Sequence, residues 1–129
     1  MSTEGRAIGP IRLDLPPHPE LSRVARLTAS VIASLAGFTI DEIEDIKVAV
    51  SEVMVALVEH GAREPISVVF DVADDRFSVR GTTPIPGFDV DHPDLVLCRT
   101  VLGGVSTDHH IRVVEAGVEI RAIVDHAAR

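Results

Sequence analysis

IEDIKVAVSEVMVALVEHG, Ile43 to Gly61, is the stretch whose reading decides the fold. Ile43, Ile46, Val50, Val53 and Leu57 recur at alternating steps of three and four, so at about 100° per residue they share one helical face. That face is read as core. Thr39 with Glu42 three residues later is a capping-box pattern, which starts the helix near Ile40 and places Asp41, Glu42 and Glu44 at its positive end. The helix then runs to His60 and stops at Gly61. Glu52 breaks the pattern. With Ile43 as zero it lies at about 180°, away from the core stripe, with Val48, Val55 and Ala56 within about 60° on either side. Two readings stay open: Asp45, Glu52 and Glu59 form an acidic exposed strip at seven-residue spacing, or Glu52 is a carboxylate lining a pocket.

Upstream, IRLDL (Ile11 to Leu15) alternates apolar and polar residues as a half-buried strand does, and it ends at Pro16-Pro17. Residues 1–10 are polar, glycine-bearing and expected to be flexible. From Pro19 to Ala36 the set Leu21, Val24, Leu27, Val31 and Leu35 makes one amphipathic stripe, read mainly as core and secondarily as a self-pairing surface. Gly37 is the expected C-terminal cap. Downstream, Pro65 to Asp75 and Arg76 to Gly81 read as a hairpin turning at Ala73-Asp74-Asp75. TTPIPGFDVDHPD, Thr82 to Asp94, carries three prolines and a glycine and is expected to be an irregular, functional loop. LVLCRTVLGGV, Leu95 to Val105, reads as a short buried helix ended by Gly103-Gly104. The tail gives two more strands around Glu115-Ala116-Gly117. The expected class is α+β: a two-layer sandwich, a mixed or antiparallel sheet with helices on one face, in a single domain over residues 11–129.

Composition narrows the function. The chain has 129 residues, the size of one domain, and at 46% hydrophobic and 25% charged it can bury a core. A net charge of -8, with twelve scattered Lys and Arg, argues against a surface that tracks nucleic acid phosphates. Cys98 stands alone, so no internal disulfide or thiolate metal cluster is expected, and the cytoplasm is the natural compartment. No signal peptide and no apolar run of about 18 residues is visible, so no membrane insertion is expected.

The run Ala49-Val50-Ser51-Glu52, with His60 eight residues beyond the glutamate, resembles the N-box helix of the RsbW-type anti-sigma factor and serine kinase family. That family sits within the gyrase, histidine-kinase and MutL-type (GHKL) ATPases. The likeness extends in element order to LSRVARLTASVIASLAGF and VLCRTVLGGVSTD. It implies a Bergerat-like ATPase fold in which Glu52 stands at the general base. The position of the family's magnesium-binding Asn is Ala56, whose methyl has no lone pair for a cation that demands near-octahedral oxygen. The adenine-binding Asp falls on Thr83 if counted back from Gly87-Phe88, or on Gly81 if counted forward from the strand. Neither is a carboxylate. Where a glycine-rich phosphate stretch should precede the third helix, Pro93 stands without an amide to give. At about 1.5–3 kcal/mol for each hydrogen bond to a charged group, three lost contacts approach or exceed about 5 kcal/mol. That deficit takes a site from about micromolar to about millimolar.

The resemblance therefore implies a regulator that binds a sigma factor or a STAS-type anti-anti-sigma protein, as a homodimer. Glu52 would be the remnant of a kinase base, and Ala56, Gly81, Thr83 and Gly87 the degenerate ATP positions. The competing reading is an active serine/threonine kinase using ATP and Mg²⁺, with Asp89 or Asp91 as compensating ligands; a third is a subunit that only assembles with an active kinase. Other constellations are weaker. His109 and His110 would point to opposite faces of a strand and cannot chelate one ion together. His60 is favoured as a cation at the helix's negative end. Ser51 with His60 lacks any nucleophile elbow, and Cys98 reads as a small buried hydrophobe.

Overall fold

The computed structural model describes residues 7–61, 63–115 and 117–127. Strand β1 is Ile8–Leu15, helix α1 Ser22–Leu35, helix α2 Ile40–His60, and strands β2 and β3 are Ile66–Ala73 and Arg76–Thr83. Helix α3 is Leu95–Val105, and strands β4 and β5 are Asp108–Val114 and Gly117–Asp125. All strand pairs are antiparallel, in the order β1-β2-β3-β5-β4. One face of the sheet carries Phe70, Val79 and Ile120 into the core against the helices, and among the described residues no element covers the other. The result is a two-layer α+β sandwich, as the sequence pattern implies. No helix among the described residues is long and apolar enough to cross a membrane.

Helix α2 is the spine. Its capping box forms: the Glu42 amide donates to the Thr39 hydroxyl at 3.1 Å and the Thr39 amide donates to Glu42 at 2.7 Å. Ile46, Val50, Val53 and Leu57 are buried, and Ile43 is half-buried. Glu42 does more than cap. Its carboxylate also accepts from His126 Nδ1 at 2.7 Å and from the Ala127 amide at 2.6 Å, tying the end of β5 to the start of α2. Burial works against this charge, but the Ala127 and Thr39 amides, then His126, hold the carboxyl down at about 2.

Four expectations need correction. Residues 8–10 are not flexible, because they belong to β1; Ala7 precedes that strand, and residues 1–6 lie outside the described residues. Thr82 and Thr83 are not loop, because they pair with Glu119 and Val118 of β5. The α3 helix continues through Gly103-Gly104 to Val105, and only its Leu95, Cys98 and Leu102 side is buried while Val96 and Leu97 are exposed.

The largest correction concerns α1. Val24, Leu27, Val31 and Leu35 face solvent, with Leu27 and Val31 nearly three-fifths exposed (59% and 58%). The inward face is Ala25, Ala29, Ile32 and Ala33. Small side chains let two helix axes approach closely, so alanines suit a helix lying directly on α2. Gly37 does cap this helix, with φ of 88° and the Phe38 amide donating to the Ala33 carbonyl at 3.0 Å.

Candidate functional site

The second half of α2, the loop after β3 and the start of α3 enclose a hollow of about 170 Å³. Glu52, Ala56, Glu59 and His60 line it from α2, and Asp94, Leu95, Leu97 and Cys98 from the other side. Of the five positions singled out in the sequence, the structure brings Glu52 and Ala56 together here. Glu52 is half-buried, whereas Asp45 and Glu59 are exposed, so the three do not form a uniformly solvated strip. No hydrogen bond or ion pair holds the Glu52 carboxylate among the described residues. Burial, and then the charge of Glu59, raise its pKa above the ordinary carboxylate value.

Ala56 is a buried methyl in the wall of the hollow. Gly81 sits beneath α2, where a Cβ would come within 2.6 Å of both Leu57 and Val53. Its glycine therefore serves the packing of α2 on the sheet, and no ligand could enter there without moving the core. Thr83 is buried at the end of β3, and its hydroxyl donates to the Pro65 carbonyl at 3.2 Å. Gly87 lies in the loop with a φ of 66°, and a Cβ there would meet nothing within 4 Å. Asp89 accepts the Asp91 amide at 2.9 Å, a local turn, and neither carboxylate lines the hollow.

Sequence reasoning missed how the loop is held. The His60 ring lies 5.1 Å from His92 and 6.3 Å from Phe88, both edge-on, so the end of α2 carries two rings of the loop. Arg99 donates to the Val90 carbonyl at 2.6 Å and fastens the same loop to α3. Phe88 and His92, four apart in a proline-broken segment, offer no periodic signal that could have flagged them. Pro93 accepts the Val96 amide through its carbonyl at 3.1 Å, in the turn that leads into α3. Cys98 is buried, its thiol turned toward the Glu52 carbonyl at 3.9 Å; burial, then the Glu52 charge, push it up to about 11. An inert thiol is the result. Ser51 faces elsewhere, with its hydroxyl bonded to the Lys47 carbonyl and to Arg26. His109 and His110 do point to opposite faces of β4, His109 toward Gly103 and His110 toward Glu119.

Chemically, the hollow presents three carboxylates, an imidazole, a methyl and a buried thiol. It is smaller than the roughly 300–1,000 Å³ of ordinary small-molecule sites. Carboxylates repel a triphosphate unless a metal bridges them, and the Ala56 methyl cannot ligate one. Among the described residues no three His, Cys, Asp or Glu side chains converge so as to hold a metal ion.

Comparison with known proteins adds the following. Residues 15–96 match the family described as the histidine kinase-like ATPase domain. The chain is 40% identical over 85 residues to the serine-protein kinase RsbW of Bacillus subtilis, covering 63% of this chain and 53% of that protein. It is 32% identical over 117 residues to the serine-protein kinase RsbW of Bacillus licheniformis, covering 87% of this chain and 70% of that one. The chain thus spans about half the length of the Bacillus subtilis relative. A crystal structure of the RsbU and RsbW domains of a Mycobacterium tuberculosis protein superposes with a TM-score of 0.74 at 17% identity, covering 95% of this chain and 34% of that one. At that identity the likeness shows the fold.

Proposed function

Because the chain belongs to the histidine kinase-like ATPase family, in its RsbW-type branch, we propose that it is an anti-sigma-like regulator. In this reading it works by holding protein partners in a partner-switching system, and its ATP site is degenerate. The chain would then be a single domain over residues 11–129, extended to Ile8 by β1, a reading supported by one hydrophobic cluster running from Leu15 to Val124. The partners would be a sigma factor or a STAS-type anti-anti-sigma protein, met in the cytoplasm. The reading that nucleotide binding is lost draws its support from the acidic hollow beside α2, with Ala56 at the position that the resemblance gives to the metal-binding Asn.

A homodimer is part of the proposal, and the exposed Val24, Leu27 and Val31 of α1 are its surface, since contiguous exposed aliphatics mark association sites. Light scattering on Leu27→Ser/Val31→Ser should then report a monomer where the parent chain is a dimer. The test of the nucleotide reading is isothermal titration with Mg-ATP. No saturable heat at low micromolar nucleotide is expected; saturable binding there would favour the competing reading, an active serine/threonine kinase with Glu52 as base, acting on an anti-anti-sigma protein. That alternative draws on Glu52 itself, which stays half-buried in the hollow with a raised pKa, as a general base should.

A further inference from the structure

The uncovered face of the sheet has a charge layout that none of the foregoing uses. Register places Arg12 beside Val69, Val69 beside Arg80, Arg80 beside Arg121, and Arg121 beside His110. One row across all five strands thus carries three arginines and a histidine, with no carboxylate in it. Arg80 and Arg121 stand directly opposite each other, and like charges so placed destabilise a sheet.

The neighbouring acids only partly offset this. Arg12 pairs with Asp14 at 2.9 Å. Glu119, 6% exposed, is already held by His110 at 2.7 Å and Arg112 at 2.8 Å, so Arg80 reaches it only at 3.9 Å. Arg121 has no ion pair among the described residues. Between these side chains lies a hollow of about 330 Å³, to which Arg80, Arg112 and Arg121 bring three positive charges and Asp71 and Glu119 two negative ones. The surplus is positive on a chain whose net charge is -8.

We propose that this face docks a carboxylate-bearing segment of a partner protein, with Glu or Asp side chains seated between Arg80 and Arg121. Guanidinium forks suit carboxylates because both are planar and can share two parallel hydrogen bonds. The flanks favour protein over nucleic acid. On one side of the row lie Asp14, Glu119 and an Arg112 already paired to Glu119, and on the other Asp71 and Asp108, so a continuous phosphate backbone leaving the row would meet a net acidic flank, whereas discrete carboxylates spaced along the row would not. The inference stands on the charge layout of the sheet and is independent of the family reading.

The experiment is an NMR titration that follows the arginine Nε–Hε signals of the whole chain. The probe is acetyl-Glu-Ala-Glu-amide, with acetyl-Gln-Ala-Gln-amide and inorganic phosphate as parallel arms. The glutamate peptide should shift Arg80 and Arg121 saturably, and the effect should fade as NaCl is raised from about 0.02 to about 0.5 M. The glutamine peptide should leave both signals in place. Arg121→Gln, at an exposed position without an ion pair among the described residues, should weaken the glutamate peptide about tenfold while the chain unfolds at the same or a slightly higher temperature. Arg80→Gln should weaken it as well. Equal shifts with the glutamine peptide, stronger shifts with phosphate alone, or undiminished binding in both variants would overturn the proposal.

Discussion

The two ends of α2 hold one glutamate each that matters, and the two could hardly be treated more differently. Glu42, in the first turn, accepts three hydrogen bonds on its carboxylate, from the Thr39 amide, His126 and the Ala127 amide, and donates its own amide to the Thr39 hydroxyl; its carboxyl is held at about 2. Glu52, ten residues on, has burial without partners, and its pKa is raised. Same helix, same side chain, opposite consequences. A buried charge stabilises only when donors replace the water it has lost. The first glutamate is therefore architecture, and the second is a cost retained at a hollow.

Glu42→Ala should break this contrast most severely. Losing hydrogen bonds to a charged acceptor at the junction of α2 and β5 should lower stability by about 3 kcal/mol in urea unfolding. A change no greater than that of a surface substitution would mean that the Glu42 network contributes little. Gly81→Val probes whether the Glu52 end is merely loose. Because a Cβ already meets Leu57 and Val53 at 2.6 Å, overpacking should cost about 2 kcal/mol. A neutral outcome would show that α2 can lift from the sheet there.

Titration sharpens the comparison by sign. The depressed pKa of Glu42 contributes stability that is complete above its ordinary value of 4.5 and is lost as pH falls through about 2. Glu42→Gln should flatten that acid limb. Glu52 is raised, so its folded form holds the proton longer, and stability declines as pH climbs through its folded pKa. Glu52→Gln should remove this decline and stabilise the chain by about 0.5 kcal/mol at neutral pH. Parallel pH curves for the two variants would contradict the assignment. The smallest expected effect belongs to Ala56→Asn. One added amide oxygen leaves the hollow lined by the carboxylates of Glu52, Glu59 and Asp94, so calorimetry with Mg-ATP should still show no tight binding.

What the sequence made legible was local. The Thr39–Glu42 box, the length of α2, the hairpin turn at Asp74-Asp75 and the order of elements are written in residues a few positions apart, and they formed as expected. The orientation of α1 was not legible, because hydrophobic spacing marks a stripe without saying what covers it. The alanines at 25, 29 and 33 trace a second stripe at the same period, and closeness of approach to α2 selected that one. The candidate site divides the same way. Glu52 and Ala56 were found because both lie on one helix. The packing role of Gly81 was not legible, since it depends on Val53 and Leu57 from another element. His92 and Phe88 come to His60 through a proline-rich loop that has no period at all.

The bond from Ala127 to Glu42 spans 85 positions, and that has a bearing on synthesis. At about 5–20 residues per second, a ribosome emits the start of α2 roughly 4–17 s before the residues that finish securing it. Through that interval the first turn has Thr39 alone, so nascent chains should fray there, and a protease or chaperone would find its opening at the head of the longest helix.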